Sequence, residues 1–259
     1  MSSQPFSKGF CLLLLAVLLA AGCARQTTAE DKLMVFAASS LREAFVALGQ
    51  GFENTHPGVK IAFQFAGSQQ LRSQLEHGAQ ADVFASADRH HMLDTVVQKP
   101  TVFARNTPVL IVANDSAAAV RRFADLAHVS SIVLGAKEVP IGRYSQQILE
   151  RAENTLGAAF RKDVEARVVS RELNVSQVVS KVRFGEAQAA LVYATDARAA
   201  KIQSIEIPPE INVVAEYFIA VAHDAPHATL AHKWVDFVVS PSGQRTLQAV
   251  GFLPCGQTP

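Results

Sequence analysis

From Leu33 onward, short apolar runs alternate with amphipathic stretches, and that alternation restricts the chain to a small set of folds. Leu33–Ala37, Lys60–Phe65 and Ala81–Ala85 have strand length, and helices are predicted between them near 41–53 and 69–77. This is βαβαβ grammar, which implies parallel strands with helices packed on both faces of a sheet. In the first helix Leu41, Ala44, Phe45, Leu48 and Phe52 recur at helical spacing and form one buried face. Ser40 and Glu43 have capping-box spacing at its start, and Gly78 and Gly185 stand where helices should stop. Two nearly continuous apolar strands, Pro108–Ala113 and Tyr217–Ala222, bracket a block with its own strands at Ser131–Leu134 and Ala189–Tyr193. A block set between two strands reads as a second lobe reached by two crossovers. The expected division is 32–108 plus 217–259 for one lobe and 109–216 for the other. From Thr229 the chain reads as a helix, a Ser240-Pro241 start signal and a last helix ending at Gly251.

Residues 1–23 read as an export signal. Lys8 precedes a Leu/Ala-rich run from Phe10 to Ala21, which is too short for a comfortable membrane span, and small residues lead to Cys23. Ala20-Ala21-Gly22-Cys23 resembles the lipobox of bacterial lipoproteins, with Ala20 where Leu is usual, so Cys23 is the expected lipidation site. Simple cleavage to a soluble periplasmic protein is the alternative, and either route exports the chain. Residues 24–31 form a polar tether. Cys11 leaves with the signal, which strands Cys255 without an intramolecular partner and leaves no disulfide framework. The 24 Lys and Arg residues nearly balance the 23 Asp and Glu, and both signs are scattered, so nucleic acid is not an expected partner. A small molecule is.

Four segments place a hydroxyl or a bare backbone amide where a helix should begin: Ala37–Leu41, Ala66–Gln69, Val139–Gly142 and Leu173–Ser176. A helix start offers unpaired N–H donors and about half a positive charge. If the four converge, they form a site for a small doubly charged oxyanion with no Lys or Arg in it. Taken singly, Ser40 and Ser68 read as ordinary N-caps, and Tyr193 as a half-buried tyrosine at a strand end.

The ordered set of motifs carries more. Val35–Leu41, Phe65–Ser68, Ala81–Asp88, Val139–Tyr144, Leu191–Asp196 and Gly251–Pro254 together resemble the periplasmic molybdate-binding proteins of ABC transporters, in order from about residue 33 to 254. The resemblance implies an α/β periplasmic binding protein fold of type II: two lobes, each a mostly parallel sheet flanked by helices, joined by two crossover strands. It also implies a ligand shell of hydroxyls and amides. In that shell Ser40 and Ser68 supply hydroxyl and N–H, Ile141 and Val175 supply N–H alone, and Tyr193 supplies its hydroxyl. Ser39 and Asn174 are secondary candidates. The chain departs from the family pattern in having the bulky Ile141 where a smaller residue is common, and Asn174 where an acidic residue is frequent.

By the same resemblance the protein is a monomer that takes molybdate, and tungstate in the alternative, and passes it to an inner-membrane ABC permease and its ATPase. Neither a cofactor nor a cation site is expected. The chain has no phosphate-cradling Gly-x-x-x-x-Gly-Lys motif with which to power transport itself. A receptor for sulfate or another small anion is the runner-up. An exported hydrolase is weaker, since no Gly-x-Ser-x-Gly elbow is present. A metal site through His90 and His91, or through His223, Asp224, His227 and His232, is weighed against solvent-exposed loop histidines, because Pro226 keeps His223 and His227 off one helical face. Tyr144, Tyr193 and Tyr217 are isolated in sequence, unlike the adjacent tyrosines of iron-binding relatives with the same two-lobe plan.

Overall fold

The computed structural model describes residues 31–114 and 120–255. The expected signal, with Cys11 and Cys23, and the tether apart from Asp31 lie outside the described residues.

The chain opens with β1 (Asp31–Ala38), a 3-10 turn at Ser39–Leu41, α1 (Arg42–Thr55), β2 (Val59–Ala66), α2 (Ser68–Glu76), β3 (Val83–Ser86) and β4 (Thr101–Asn106). It continues with β5 (Pro108–Val112), β6 (Ile132–Gly135), α3 (Pro140–Leu156), α4 (Ala158–Glu165), β7 (Val168–Glu172), α5 (Val175–Arg183), β8 (Ala189–Tyr193), α6 (Ala194–Ala200) and β9 (Ser204–Glu206). β10 (Ala215–Val221), α7 (Ala228–Val239) and α8 (Pro241–Ala249) close it. The strands form two sheets of five, ordered β2-β1-β3-β10-β4 and β7-β6-β8-β5-β9, and each sheet with its helices is one lobe.

In the first sheet β1 is parallel to β2 and β3, while β10 runs antiparallel to both β3 and β4. In the second, β6 is parallel to β7 and β8, while β5 runs antiparallel to both β8 and β9. Each sheet therefore has one reversed strand, and the reversed strands are the two on which the chain enters a new sheet. β4 passes to β5 through Thr107 alone, and β9 passes to β10 through residues 207–214. Crossing between the sheets leaves no room for the right-handed helical return that would keep β5 or β10 parallel.

Apolar burial follows the layers. One cluster spans the lobes, from Phe45, Phe52 and Trp234 on the first to Val133, Val178 and Val192 on the second. Two others cover the outer faces: Leu71, Phe84 and Met92 on the first sheet, and Leu134, Ile148 and Phe160 on the second. Strands covered on both faces need continuous apolar runs, and β3, β5, β6 and β8 are buried at every position. The C-terminal segment returns to the first sheet, where Leu253 exchanges backbone hydrogen bonds with Arg105 at 2.8 and 3.0 Å.

Helix boundaries follow the sequence signals with one instructive exception. Gly78 and Gly185 adopt φ of +86° and +73° just past α2 and α5, and the Ser240 hydroxyl accepts the Gly243 N–H at 3.2 Å. The Ser40–Glu43 capping box does not form. Ser40 lies in the 3-10 turn, and Leu41 is the N-cap of α1 with no side-chain cap. The extra turn moves the Ser40 hydroxyl off the helix and frees it for other partners.

Candidate anion site

Six strand ends meet at one place. β1, β2 and β3 of the first lobe and β6, β7 and β8 of the second all point their C-terminal ends toward it, the usual location of ligands on parallel sheets. Between the ends lies a small cavity lined by Ala38, Ser39, Ser40, Ala66, Gly67, Ser68, Ala87, Val139, Pro140, Ile141, Asn174, Val175 and Tyr193. All seven residues singled out from sequence are on that wall. None of the lining side chains is charged.

Counting backbone donors shows what the wall offers. In α2 the Gln70 and Leu71 N–H groups both return to the Gly67 carbonyl, at 2.9 and 3.0 Å, so Ser68 and Gln69 begin the helix with no carbonyl one turn behind them. In α3, Pro140 has no N–H and the Arg143 N–H bonds Val139 O at 3.0 Å, which leaves those of Ile141 and Gly142. In α5 the Asn174 side chain accepts the Gln177 N–H at 3.0 Å and its carbonyl accepts that of Val178 at 3.3 Å, which leaves Val175 and Ser176. Asn174 is thus the cap of α5 as well as a wall residue. The Ser39–Leu41 turn supplies the fourth start.

Close backbone approach holds these starts in place. A Cβ on Gly142 would lie 2.0 Å from Ala136 O, so only glycine lets α3 begin this close to the end of β6. Gly67 is the corresponding point between the lobes, since its Cβ would lie 2.3 Å from Leu173 O. The Gln69 amide donates to that same carbonyl at 2.6 Å, and Tyr144 reaches across to Ala87 O at 3.4 Å.

The hydroxyls are held from behind. Ser68 Oγ accepts the Ala87 N–H at 3.2 Å, and Ser40 Oγ accepts from the Tyr217 hydroxyl at 3.0 Å. Neither partner is a base, so neither serine is set up as a nucleophile. Tyr193 is 1% exposed, and its hydroxyl has no hydrogen-bond partner. Burial pushes the phenols of Tyr193 and Tyr217 well above their ordinary value, so both keep their protons and remain donors. The three tyrosines, isolated in sequence, pack in a row, with ring centroids 6.3 Å apart for Tyr144 and Tyr193 and 5.6 Å for Tyr193 and Tyr217. Only Tyr193 faces the cavity. The sequence reading missed Tyr217 in this setting, although a tyrosine within an otherwise apolar strand signals a hydroxyl in need of a partner.

Two carboxylates lie near the wall. Asp88 accepts the His91 N–H at 3.2 Å, pairs with His91 Nδ1 at 2.6 Å, and lies 3.7 Å from the Arg143 guanidinium of the other lobe. Asp196 Oδ2 is shut off from solvent without a partner, and burial pushes this carboxyl up to about 7, opposed by its hydrogen bond from the Tyr193 backbone N–H. The unfolded chain ionises Asp196 near pH 4, so between about pH 4 and 7 the fold holds the extra proton and loses stability as pH rises. Asp196→Asn should therefore raise the melting temperature above pH 7, with the gain fading toward pH 4. A gain that is constant across pH would show that no buried carboxyl titrates there.

The histidines do not gather into a cation site. Among the described residues no group of three or more His, Cys, Asp or Glu is placed to hold a metal. The expectation of solvent-exposed loop histidines needs correcting for His91, which is 2% exposed and tied to Asp88. His227 is exposed in its loop as expected, with its N–H and ring bonded to the buried Asp82 at 2.7 and 3.2 Å. Cys255 is a free, half-buried thiol.

Similarity to known proteins agrees with this geometry. Residues 33–253 match the family of bacterial extracellular solute-binding proteins. The molybdate-binding protein ModA of Mycobacterium tuberculosis is 38% identical over 235 residues, covering 87% of this chain and 86% of that protein. A putative ABC transporter substrate-binding lipoprotein of Bacillus subtilis, YvgL, is 28% identical over 257 residues, 94% of this chain and 96% of its own. The periplasmic molybdate-binding protein of Azotobacter vinelandii superposes with a TM-score of 0.75 at 20% identity, over 85% of this chain and 98% of that one, and shares the fold. Two lobes of matching topology, a wall of unpaired donors between them and a match running nearly the whole described length lead to one conclusion: the chain belongs to the bacterial extracellular solute-binding protein family.

Proposed function

We propose that this protein captures molybdate, with tungstate as an equivalent cargo, and delivers it to an ABC permease driven by its own ATPase. The observation that carries the reading is the donor-only wall: N–H groups at four helix starts and the hydroxyls of Ser40, Ser68 and Tyr193, with no charged side chain among them. A dianion stripped of water needs several aimed donors, each contributing about 1.5–3 kcal/mol when one partner is charged. Phosphate near neutral pH keeps a proton for which the wall has no carboxylate acceptor, whereas molybdate, tungstate and sulfate present none. The similarity to ModA supports molybdate over sulfate.

We place the lobe boundaries and the hinge at the two crossovers, Thr107 and residues 207–214, since the expected divisions at 108/109 and 216/217 would cut β5 and β10. Each lobe holds part of the donor set, so a ligand that touches both favours the closed arrangement by its differential contacts. The protein works as an exported monomer, tethered through Cys23 or free in the periplasm, without cofactor or catalysis. Ser68→Ala should weaken molybdate binding about tenfold or more because it removes one charge-assisted donor, and should keep a native circular-dichroism spectrum while lowering the melting temperature of the free protein by a few degrees, since the buried Ala87 N–H loses its acceptor. Titration calorimetry with molybdate, tungstate, sulfate and phosphate tests the whole reading. One-to-one binding of the first two with silence from the others supports it, a sulfate preference changes the cargo, and no binding to any anion refutes it.

A further inference from the structure

We propose that Asp88 and Arg143 are positioning residues for ligand capture: they pair across the mouth of the cavity, hold the two lobes closed over the anion and so set how slowly it leaves. The inference rests on the receptor reading above. Neither residue lines the cavity. Asp88 caps the 3-10 turn Arg89–His91 on the first lobe and is 6% exposed. Its Oδ1 is occupied within that lobe, by the His91 N–H at 3.2 Å and by His91 Nδ1 at 2.6 Å. Its Oδ2 is shut off from solvent and accepts no hydrogen bond, and what faces it is the Arg143 guanidinium, 3.7 Å away on α3 of the second lobe.

The pair joins the two halves of the donor wall. Asp88 follows Ala87, whose N–H meets Ser68 Oγ at 3.2 Å, and Arg143 lies two residues past Ile141. Two neutral contacts cross the same mouth, from the Gln69 amide to Leu173 O at 2.6 Å and from the Tyr144 hydroxyl to Ala87 O at 3.4 Å. Parting the lobes carries Arg143 away with α3 while Asp88 stays with His91, so the ion pair exists in the closed state alone. His91 satisfies one side of the carboxylate in both states. Closure therefore desolvates only the Oδ2 side, and it brings the guanidinium to that side. A contact made only in the closed state shifts the equilibrium toward it. An anion that leaves through the open state is then released more slowly, while its entry does not depend on a pair not yet formed.

The test must separate a latch from the direct pull of the Arg143 charge on the anion, and a double-mutant cycle does so. Protein loaded with radiolabelled molybdate is chased with an excess of unlabelled molybdate, and the dissociation rate is read. Arg143→Gln should speed dissociation about tenfold in the otherwise wild-type protein, and less than about twofold when Asp88→Asn is already present. Arg143→Lys, which keeps a cation facing Oδ2, should restore most of the retention. A direct pull on the anion would cost the same with or without the Asp88 carboxylate, so equal losses in the two backgrounds overturn the inference. Undisturbed dissociation in Arg143→Gln overturns it as well. If Asp88→Asn does not fold, Asp88→Ser, which keeps an acceptor for the His91 N–H, takes its place in the cycle. Wild-type protein that fails to bind molybdate would sink the receptor reading itself, whereas binding without coupling sinks only the latch.

Discussion

Gly67→Ala should cost the protein most of its affinity for molybdate, at least about a hundredfold, while leaving its melting temperature unchanged or slightly raised. Gly67 has φ −66° and ψ 142°, a backbone conformation that alanine adopts freely, so the first lobe gains no strain. The clash is with the other lobe. A Cβ there would lie 2.3 Å from Leu173 O, a backbone atom just ahead of the Asn174 cap, and the next nearest atoms belong to the flexible Gln69 side chain. Separating the lobes enough to relieve the contact pulls the Ile141 and Val175 amides away from the Ser40 and Ser68 hydroxyls. Calorimetry and a thermal melt on the same sample decide the point. Undiminished affinity would mean that the lobes need not come this close to hold the ligand.

Tyr193→Phe should act with opposite signs on the free and bound protein. In the free protein the Tyr193 hydroxyl is buried without a partner, a state that costs about 1–3 kcal/mol, so removing it should raise the melting temperature by a few degrees. On the proposed molybdate reading the same oxygen donates one charge-assisted hydrogen bond to the ligand, and its loss should lower molybdate affinity about ten- to a hundredfold. A variant that melts lower and binds as wild type would show that the hydroxyl serves packing and not the ligand. Together with Ser68→Ala, this separates a donor already held from behind from one that has only the ligand as partner.

Much of this arrangement was legible in the sequence because it rests on local rules. β8 falls on its expected Ala189–Tyr193 run because a strand buried on both faces writes itself as an apolar run, and the first three strands fall within two residues of theirs at either end. The helix starts were legible because Pro140, Asn174 and the Ser240-Pro241 pair are punctuation with a mechanism. What escaped depends on partners far away in the chain. β4 reads TVFARN, with Arg105 in mid-strand, and β9 has three residues, so neither carries a clear pattern. The Ser40–Glu43 spacing invited a capping box, but Ser40 found Tyr217 instead, 177 residues later. Asn106 gave no signal at all, since its side chain finds its partners in Thr107 and, 89 residues later, Thr195.

The strand order also dictates a sequence of events during synthesis and export. Every strand of the second sheet lies between residues 108 and 206, so that sheet can be completed from one uninterrupted stretch. The first sheet cannot. β3 at Val83–Ser86 pairs with β10 at Phe218–Val221, so an N-terminal fragment emerging from a translocation channel presents β3 as an open edge until more than a hundred further residues have followed. An unpaired central strand is an invitation to pair with a neighbouring chain, and closing it requires a contact between distant parts of the sequence, the slow kind. The continuous lobe is the one able to fold early, and the lobe that carries Ser40 and Ser68 must wait for the C-terminus.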